Sequence, residues 1–207
     1  MLRIWGRANS INVMKVVWLL ELLGQPYERI DAGGPFGKTD TAAYRAMNPN
    51  GKVPTLEQDD GFTLWESNAI LRYLASTLAG GEAFWPADAR QRANVDRWMD
   101  WQQSTLDAPQ RTILRGFVRT PPAERDVAAN ERAAAELRAG WSLLDDRLSR
   151  QAFVAGDRFT LADIALGVHA FRWFAYDIAK PELPALRAWY EGFMASPIYR
   201  RHVALPL

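Results

Sequence analysis

Apolar positions change period along this chain, and those changes divide it into elements. Leu2 to Trp5 is a short apolar run that reads as a strand, followed by a polar turn from Gly6 to Ser10. Val13, Val16, Val17, Leu20 and Leu23 then recur at spacings of three, one, three and three. That pattern predicts a helix over Asn12 to Leu23, which Gly24 ends and Pro26 cannot continue. Tyr27 to Ile30 reads as a second strand. Because a helix links it to the first, the pair is expected to be parallel with a right-handed crossover. Asp31 to Thr39 holds three glycines and a proline and is a loop, and Thr41 to Met47 is a short helix. Thr55 to Glu57 and Phe62 to Trp65 are two more strands, after which Ala69, Ile70, Tyr73, Leu74, Thr77 and Leu78 return to helical spacing.

The resulting order, βαβαββα, is that of a thioredoxin-like α/β domain over residues 1–80. Gly80-Gly81 and Trp85-Pro86 bracket a break, so residues 81–87 are a linker. From Asp88 onward nothing reads as a strand, and residues 88–207 are expected to form an all-α bundle. Val95, Trp98, Met99 and Leu106 mark one long helix, and Leu137, Trp141, Leu144 and Leu148 mark another beyond Pro121-Pro122. Thr160 and Asp163 form a near capping box whose role is folding rather than catalysis. The last helix spans roughly Pro184 to Ala195. The fold class is therefore α/β plus all-α.

Two local signals in the first domain point to ligand capture. Proline has no N–H to give to a ladder, so Val53-Pro54 belongs at the first position of a strand or in a turn. A cis bond there would leave the Val53 N–H and C=O turned outward for a ligand, and a trans bond would only punctuate a loop. At Glu66-Ser67 the chain passes from strand to helix, with Ser67 expected as the N-cap. A helix start suits a carboxylate, and the Glu66 side chain suits an ammonium group, the pair that an amino-acid head group carries.

Composition narrows the function classes. The 207 residues are 48% hydrophobic and 24% charged with a formal net charge of +1, ordinary for a soluble chain, and they give no electrostatic case for nucleic acid. The apolar run that opens the chain stops after Trp5, too early for a signal-peptide core, and no segment approaches a membrane span. A cytoplasmic location follows as the expectation. Four lysines against twenty-one arginines suggest a GC-rich bacterial genome. Cysteine is absent, which removes every mechanism needing a protein thiol, so any sulfur nucleophile must arrive with a ligand. His169 and His202 are too few and isolated for a metal site or a Ser-His-Asp triad, and no metal is expected.

NPNGKVPTL from Asn48 and LWESNAILRYLA from Leu64 resemble the glutathione-binding half of the cytosolic glutathione transferase superfamily. GRANSINVMKVVWLLELLGQPYE from Gly6 resembles the first strand, loop and helix of its bacterial theta- or nu-like members, and FVAGDRFTLADIAL from Phe153 the superfamily's capped helix in the C-terminal domain. The resemblance covers nearly the whole chain and implies a homodimer that uses glutathione as co-substrate. By the same resemblance, the backbone of Val53 beside Pro54 pairs with the cysteinyl part of glutathione, and Glu66 and Ser67 hold the γ-glutamyl head. Lys52 meets the glycyl carboxylate, as does Lys38 unless it is simply a solvated loop lysine. Asp100 or Gln103 reaches the γ-glutamyl amine across the dimer interface.

Ser10 and Asn12 match the family's thiolate contacts. Both lie where the first helix starts, so its dipole and their hydrogen bonds would lower a thiol pKa from about 8.5 toward neutrality. Which of the two is the main donor stays open, as does the plain alternative that both cap the helix. The second substrate is expected between the halves, with Arg7, Ala8, Arg111, Arg115, Phe171 and Trp173 as candidates, and two arginines one turn apart would favour anionic or polarised electrophiles. Three functions fit the resemblance: a glutathione transferase, a glutathione-dependent disulfide reductase or peroxidase, and a non-catalytic protein-binding module.

Overall fold

The computed structural model describes residues 1–207. They divide into two compact units, one comprising Met1–Trp85 with the tail Pro197–Pro206, the other Pro86–Ser196. A four-stranded mixed sheet organises the first unit, in the order β2-β1-β3-β4. Strand β1 (Leu2–Trp5) runs parallel to β2 (Tyr27–Ile30), with Leu2 opposite Tyr27, and antiparallel to β3 (Thr55–Gln58), with Trp5 opposite Thr55. Strand β4 (Thr63–Trp65) pairs antiparallel to β3. It starts one residue later than the apolar pattern suggests, because the Phe62 N–H donates to the Asp60 carboxylate at 3.0 Å and so belongs to the turn.

Helix α1 (Ile11–Leu22) is apolar almost all round, and Val13, Val16, Leu19 and Leu20 are fully buried. It is covered on more than one side: α3 (Ser67–Thr77) packs along it, and so does α9 (Pro197–His202), where Tyr199 meets Trp18 edge to face at 4.8 Å. Helix α9 is missing from the sequence expectation, which ends its last helix at Ala195. Six residues behind Ser196-Pro197 are too few to show a period. The short helix α2 (Ala42–Met47) is capped by Thr41, whose hydroxyl accepts from the Tyr44 N–H at 3.2 Å. Gly6, at φ 156°, turns the chain from β1 into α1 so closely that a Cβ there would sit 2.4 Å from Val13 Cγ2.

The second unit is helical: α4 (Ala89–Trp101), α5 (Asp107–Ile113), α6 (Val127–Leu148), α7 (Leu161–Ala175) and α8 (Pro184–Met194). Asp88 caps α4 by accepting from the N–H groups of Arg90 and Gln91. The single long helix expected around Val95 to Leu106 in fact continues to Arg119, with π-helical turns at Gln102–Leu106 and Leu114–Arg119. Pro109 explains the first of these, since its ring crowds the carbonyl four residues back and it has no N–H to offer it. The unit's core includes Leu137, Trp141 and Leu144 from α6, with Trp141 packed against Trp173 at a centroid distance of 6.1 Å. His169 is fully buried, its Nδ1 2.7 Å from Gln110 Oε1 and its Nε2 2.9 Å from Gln102 Nε2. That pairing needs a neutral imidazole protonated on Nδ1, a packing role. No helix of the chain is long and apolar enough to cross a membrane.

Asp163 is the polar anchor of this unit. Its carboxylate accepts from the Thr160 N–H at 2.8 Å, the Thr160 hydroxyl at 3.1 Å, the Val154 N–H at 2.9 Å and Trp189 Nε1 at 3.1 Å. Burial raises its pKa to about 6, and the four donors act in the opposite direction. Since the folded value lies above the ordinary 3.8, ionisation of Asp163 opposes folding, and that penalty fades as pH falls through 6. Asp163→Asn places an NH₂ against N–H donors and is expected to cost about 2–4 kcal/mol at pH 7. The gap to wild type should widen by roughly 1 kcal/mol at pH 5, where only the wild type gains from protonation. Urea unfolding at the two pH values measures both.

Candidate active site

Three segments of the first unit converge: the turn into α1, the loop from Asn48 to Pro54, and the junction of β4 with α3. A buried polar set holds the loop. Tyr44 donates its hydroxyl to the Lys52 carbonyl at 2.7 Å and lies 2.9 Å from the Thr55 hydroxyl. Asn48 donates to the same carbonyl at 2.8 Å and to Thr55 Oγ1 at 3.0 Å, while its Oδ1 accepts from the Asn50 N–H at 3.1 Å. With the Tyr44 proton on Lys52, Thr55 donates to Tyr44 and accepts from Asn48, so each proton of the set is used once in a consistent direction. Burial raises the Tyr44 pKa and keeps it a donor. Beyond Lys52 the Val53-Pro54 peptide is cis. The Val53 N–H and C=O make no hydrogen bond with other backbone.

At the junction, Glu66 rather than Ser67 is the N-cap. Its carbonyl accepts from the Ile70 N–H at 2.9 Å, and Ser67 is the first helical residue. The cap therefore lies one residue earlier than the apolar spacing suggests. Glu66 has φ 71° and ψ 113°, a backbone state that non-glycine residues rarely adopt and that clusters at ligand sites. The first N–H groups of α3, from Ser67 onward, have no intrahelical acceptor.

The Ser67 hydroxyl donates to Asn12 Oδ1 at 3.2 Å and so ties the start of α3 to the start of α1. Asn12, Asn48, Asn50, Lys52, Val53, Pro54, Trp65, Glu66 and Ser67 line one cleft. Ser10, the N-cap of α1, is buried, and its side chain does not cap the helix, so the simple capping explanation does not hold for it; it is also not among the cleft walls. Lys38 is exposed at φ 68° in the loop before α2 and likewise lies outside the walls. Arg7 crosses Gly33 and Gly34, and a Cβ on Gly33 would lie 3.4 Å from its Nη1; Ala8 is exposed.

On the helical unit, Asp100 is exposed in the last turn of α4 and Gln103 in the first π turn. Arg111 is exposed with its Nε 3.2 Å from Asp107, and Arg115 is exposed in the second π turn. Phe171 is half-buried, whereas Trp173 is 1% exposed in the core against Trp141. Residues absent from the sequence expectation are Tyr44, Asn48 and Thr55, and also Lys15, which is 1% exposed with its Nζ 3.2 Å from Asn68 Oδ1 and 3.5 Å from Ser67 Oγ. The one visible signal was a lysine inside the apolar run of α1. A wider groove of about 480 Å³ lies by Glu21, Tyr27, Arg201 and His202, but Tyr27 donates to Glu21 at 2.8 Å and His202 lies 3.5 Å from it, so these polar groups serve one another.

The family models for the N-terminal and C-terminal domains of glutathione S-transferase match residues 9–77 and 127–192. Glutathione S-transferase GstB of Escherichia coli (strain K12) is 42% identical over 208 residues, covering 100% of both chains. This chain belongs to the glutathione S-transferase family. Glutathione S-transferase 4 of Zea mays is 30% identical over 94% of this transferase and 88% of its own length. Among solved structures, the theta class glutathione S-transferase from the citrus canker pathogen Xanthomonas axonopodis pv. citri, with glutathione bound, is 47% identical with a TM-score of 0.94. The alignment covers 100% of this transferase and 98% of that chain. Both the family and the two-part fold expected from the motifs are borne out.

Within this transferase, Asn48→Ala removes two donors and the acceptor for Asn50. It should destabilise the protein by about 2–3 kcal/mol in urea with an unchanged m-value. Hydrogen exchange at the Asn50 amide should quicken at the same time.

Proposed function

We propose that this protein is a glutathione transferase whose first unit binds glutathione and stabilises its thiolate for attack on a small electrophile. The observation that carries this reading is the placing of Asn12 at the start of α1, its amide oxygen held by Ser67, in the same cleft as Val53 and Glu66. In this reading the γ-glutamyl carboxylate sits on the N–H groups at the start of α3, with the ammonium on the Glu66 carboxylate. The N–H and C=O of Val53 pair with the cysteinyl peptide. Lys52 attracts the glycyl carboxylate, with Lys38 as an outer contact.

The sulfur then lies at the positive end of α1, where the Asn12 NH₂ donates to it and Ser10 assists from beneath. Asn12 is the main donor because it lines the cleft and Ser10 does not. The thiolate forms the new sulfur–carbon bond and the electrophile gives up its leaving group, or takes a proton when the reaction is an addition. The chain has no cysteine, so it contributes no sulfur of its own.

The protein is further proposed to act in the cytoplasm as a homodimer, with Asp100 or Gln103 of one subunit assisting the γ-glutamyl amine held by the other. Electrophile contacts are assigned to Arg7, Ala8, Arg111, Arg115 and Phe171, with Trp173 a support through its packing. Arg111 and Arg115 favour carboxylated electrophiles.

Calorimetry with glutathione and its disulfide tests the reading. Binding of neither ligand would leave a transferase-like module without this chemistry. Asn12→Ala is expected to raise the pKa of the bound thiol by about 1–2 units, the worth of one hydrogen bond to a charged group. Thiolate absorbance against pH measures it, and an unchanged titration removes Asn12 from the role. In a panel of matched substrates, carboxylated electrophiles should turn over faster than neutral ones, and equal rates would remove the two arginines from recognition.

A further inference from the structure

Lys15 is the only one of the four lysines with a buried side chain, and it sits in the most apolar helix of the first unit. Burying an ammonium group is costly, so the use made of its donors matters. Its Nζ lies 3.2 Å from Asn68 Oδ1 and 3.5 Å from Ser67 Oγ, and the Ser67 hydroxyl lies 3.2 Å from Asn12 Oδ1. An ammonium can only donate. Ser67 Oγ therefore accepts from Lys15, and its own proton points away from the cation, toward Asn12. With its oxygen turned toward Ser67, the Asn12 amide directs its NH₂ away from Ser67, as the end offered to a ligand.

The two ends of an asparagine amide have nearly the same shape, so packing does not choose between them and hydrogen-bond direction does. Without the cation, the Ser67 hydroxyl can rotate and accept from the Asn12 NH₂ instead. The amide oxygen would then face the ligand sulfur and oppose a thiolate.

We infer that Lys15 is a positioning residue that sets the direction of a Lys15–Ser67–Asn12 relay and so keeps the Asn12 NH₂ facing a bound thiolate. The inference rests on the glutathione reading above.

The test compares wild type, Asn12→Ala, Lys15→Met and the double variant, each saturated with glutathione at pH 7, by the thiolate-to-thiol ratio from ultraviolet absorbance. Methionine keeps much of the buried stem. Lys15→Met is expected to lower the ratio about tenfold, as Asn12→Ala does, with no further fall in the double variant. Affinity for S-methylglutathione, which has no ionisable thiol, should stay within about twofold of wild type. A wild-type ratio in Lys15→Met, or an effect that adds in full to that of Asn12→Ala, overturns the relay.

If Lys15→Met fails to fold, Ser67→Ala interrupts the same relay and must show the same loss; a wild-type ratio there overturns it equally. No change in Asn12→Ala itself defeats the underlying thiolate reading, an outcome distinct from a failure confined to Lys15.

Discussion

Two helices of the first unit, α1 and α3, begin side by side, joined by the hydrogen bond from Ser67 to Asn12. Each start carries a partial positive charge, so bringing them together is unfavourable until something negative lies between. The rest of the site follows from that constraint. The Tyr44, Asn48 and Thr55 set holds the neighbouring loop by the Lys52 carbonyl and leaves the Val53 backbone groups for a guest. The uncommon backbone state of Glu66 brings a carboxylate to the same edge. A peptide with carboxylates, an ammonium and an acidic thiol meets each of these demands.

The two units use polar burial differently. In the helical unit two buried polar sets close on themselves: Asp163 takes four donors, and His169 is fixed between Gln102 and Gln110. In the first unit the chain of donors from Lys15 through Ser67 ends on the amide oxygen of Asn12, a residue that lines the cleft. A closed set holds a fold together, whereas an open-ended one has capacity left for a ligand.

Much of this was legible in the sequence because periodicity and turn chemistry are local. The spacing of Val13, Val16, Val17 and Leu20 located α1, and Thr160 with Asp163 located the start of α7. Val53-Pro54 and Glu66-Ser67 marked the cleft only in combination, because a proline at a strand edge can simply punctuate a loop and a polar pair at a helix start can simply cap it. What was not legible depends on distant partners. Lys15 meets Ser67 and Asn68 across more than fifty residues, so its burial could not be read from its neighbours. Asn48 opens the NPNGKVPTL motif, but its partners Lys52 and Thr55 cannot be read from the motif, and only the folded loop turns it inward. Pro109 was visible, but the π turn that accommodates it depends on the helix continuing past it. Trp173 had the periodicity of a pocket wall and of a core residue alike, and Trp141 against it decided for the core.

The tail from Pro197 to Pro206 belongs with the first unit although the whole helical unit precedes it in the chain. During synthesis, residues 86–196 leave the ribosome between Trp18 and its partner Tyr199. The sheet and its first three helices are made early, yet the flank of α1 that Tyr199 covers waits until the helical unit has been made. The sheet-bearing unit is therefore completed only after the helical unit has been made, and a chain arrested before Tyr199 would lack the ring that packs against Trp18.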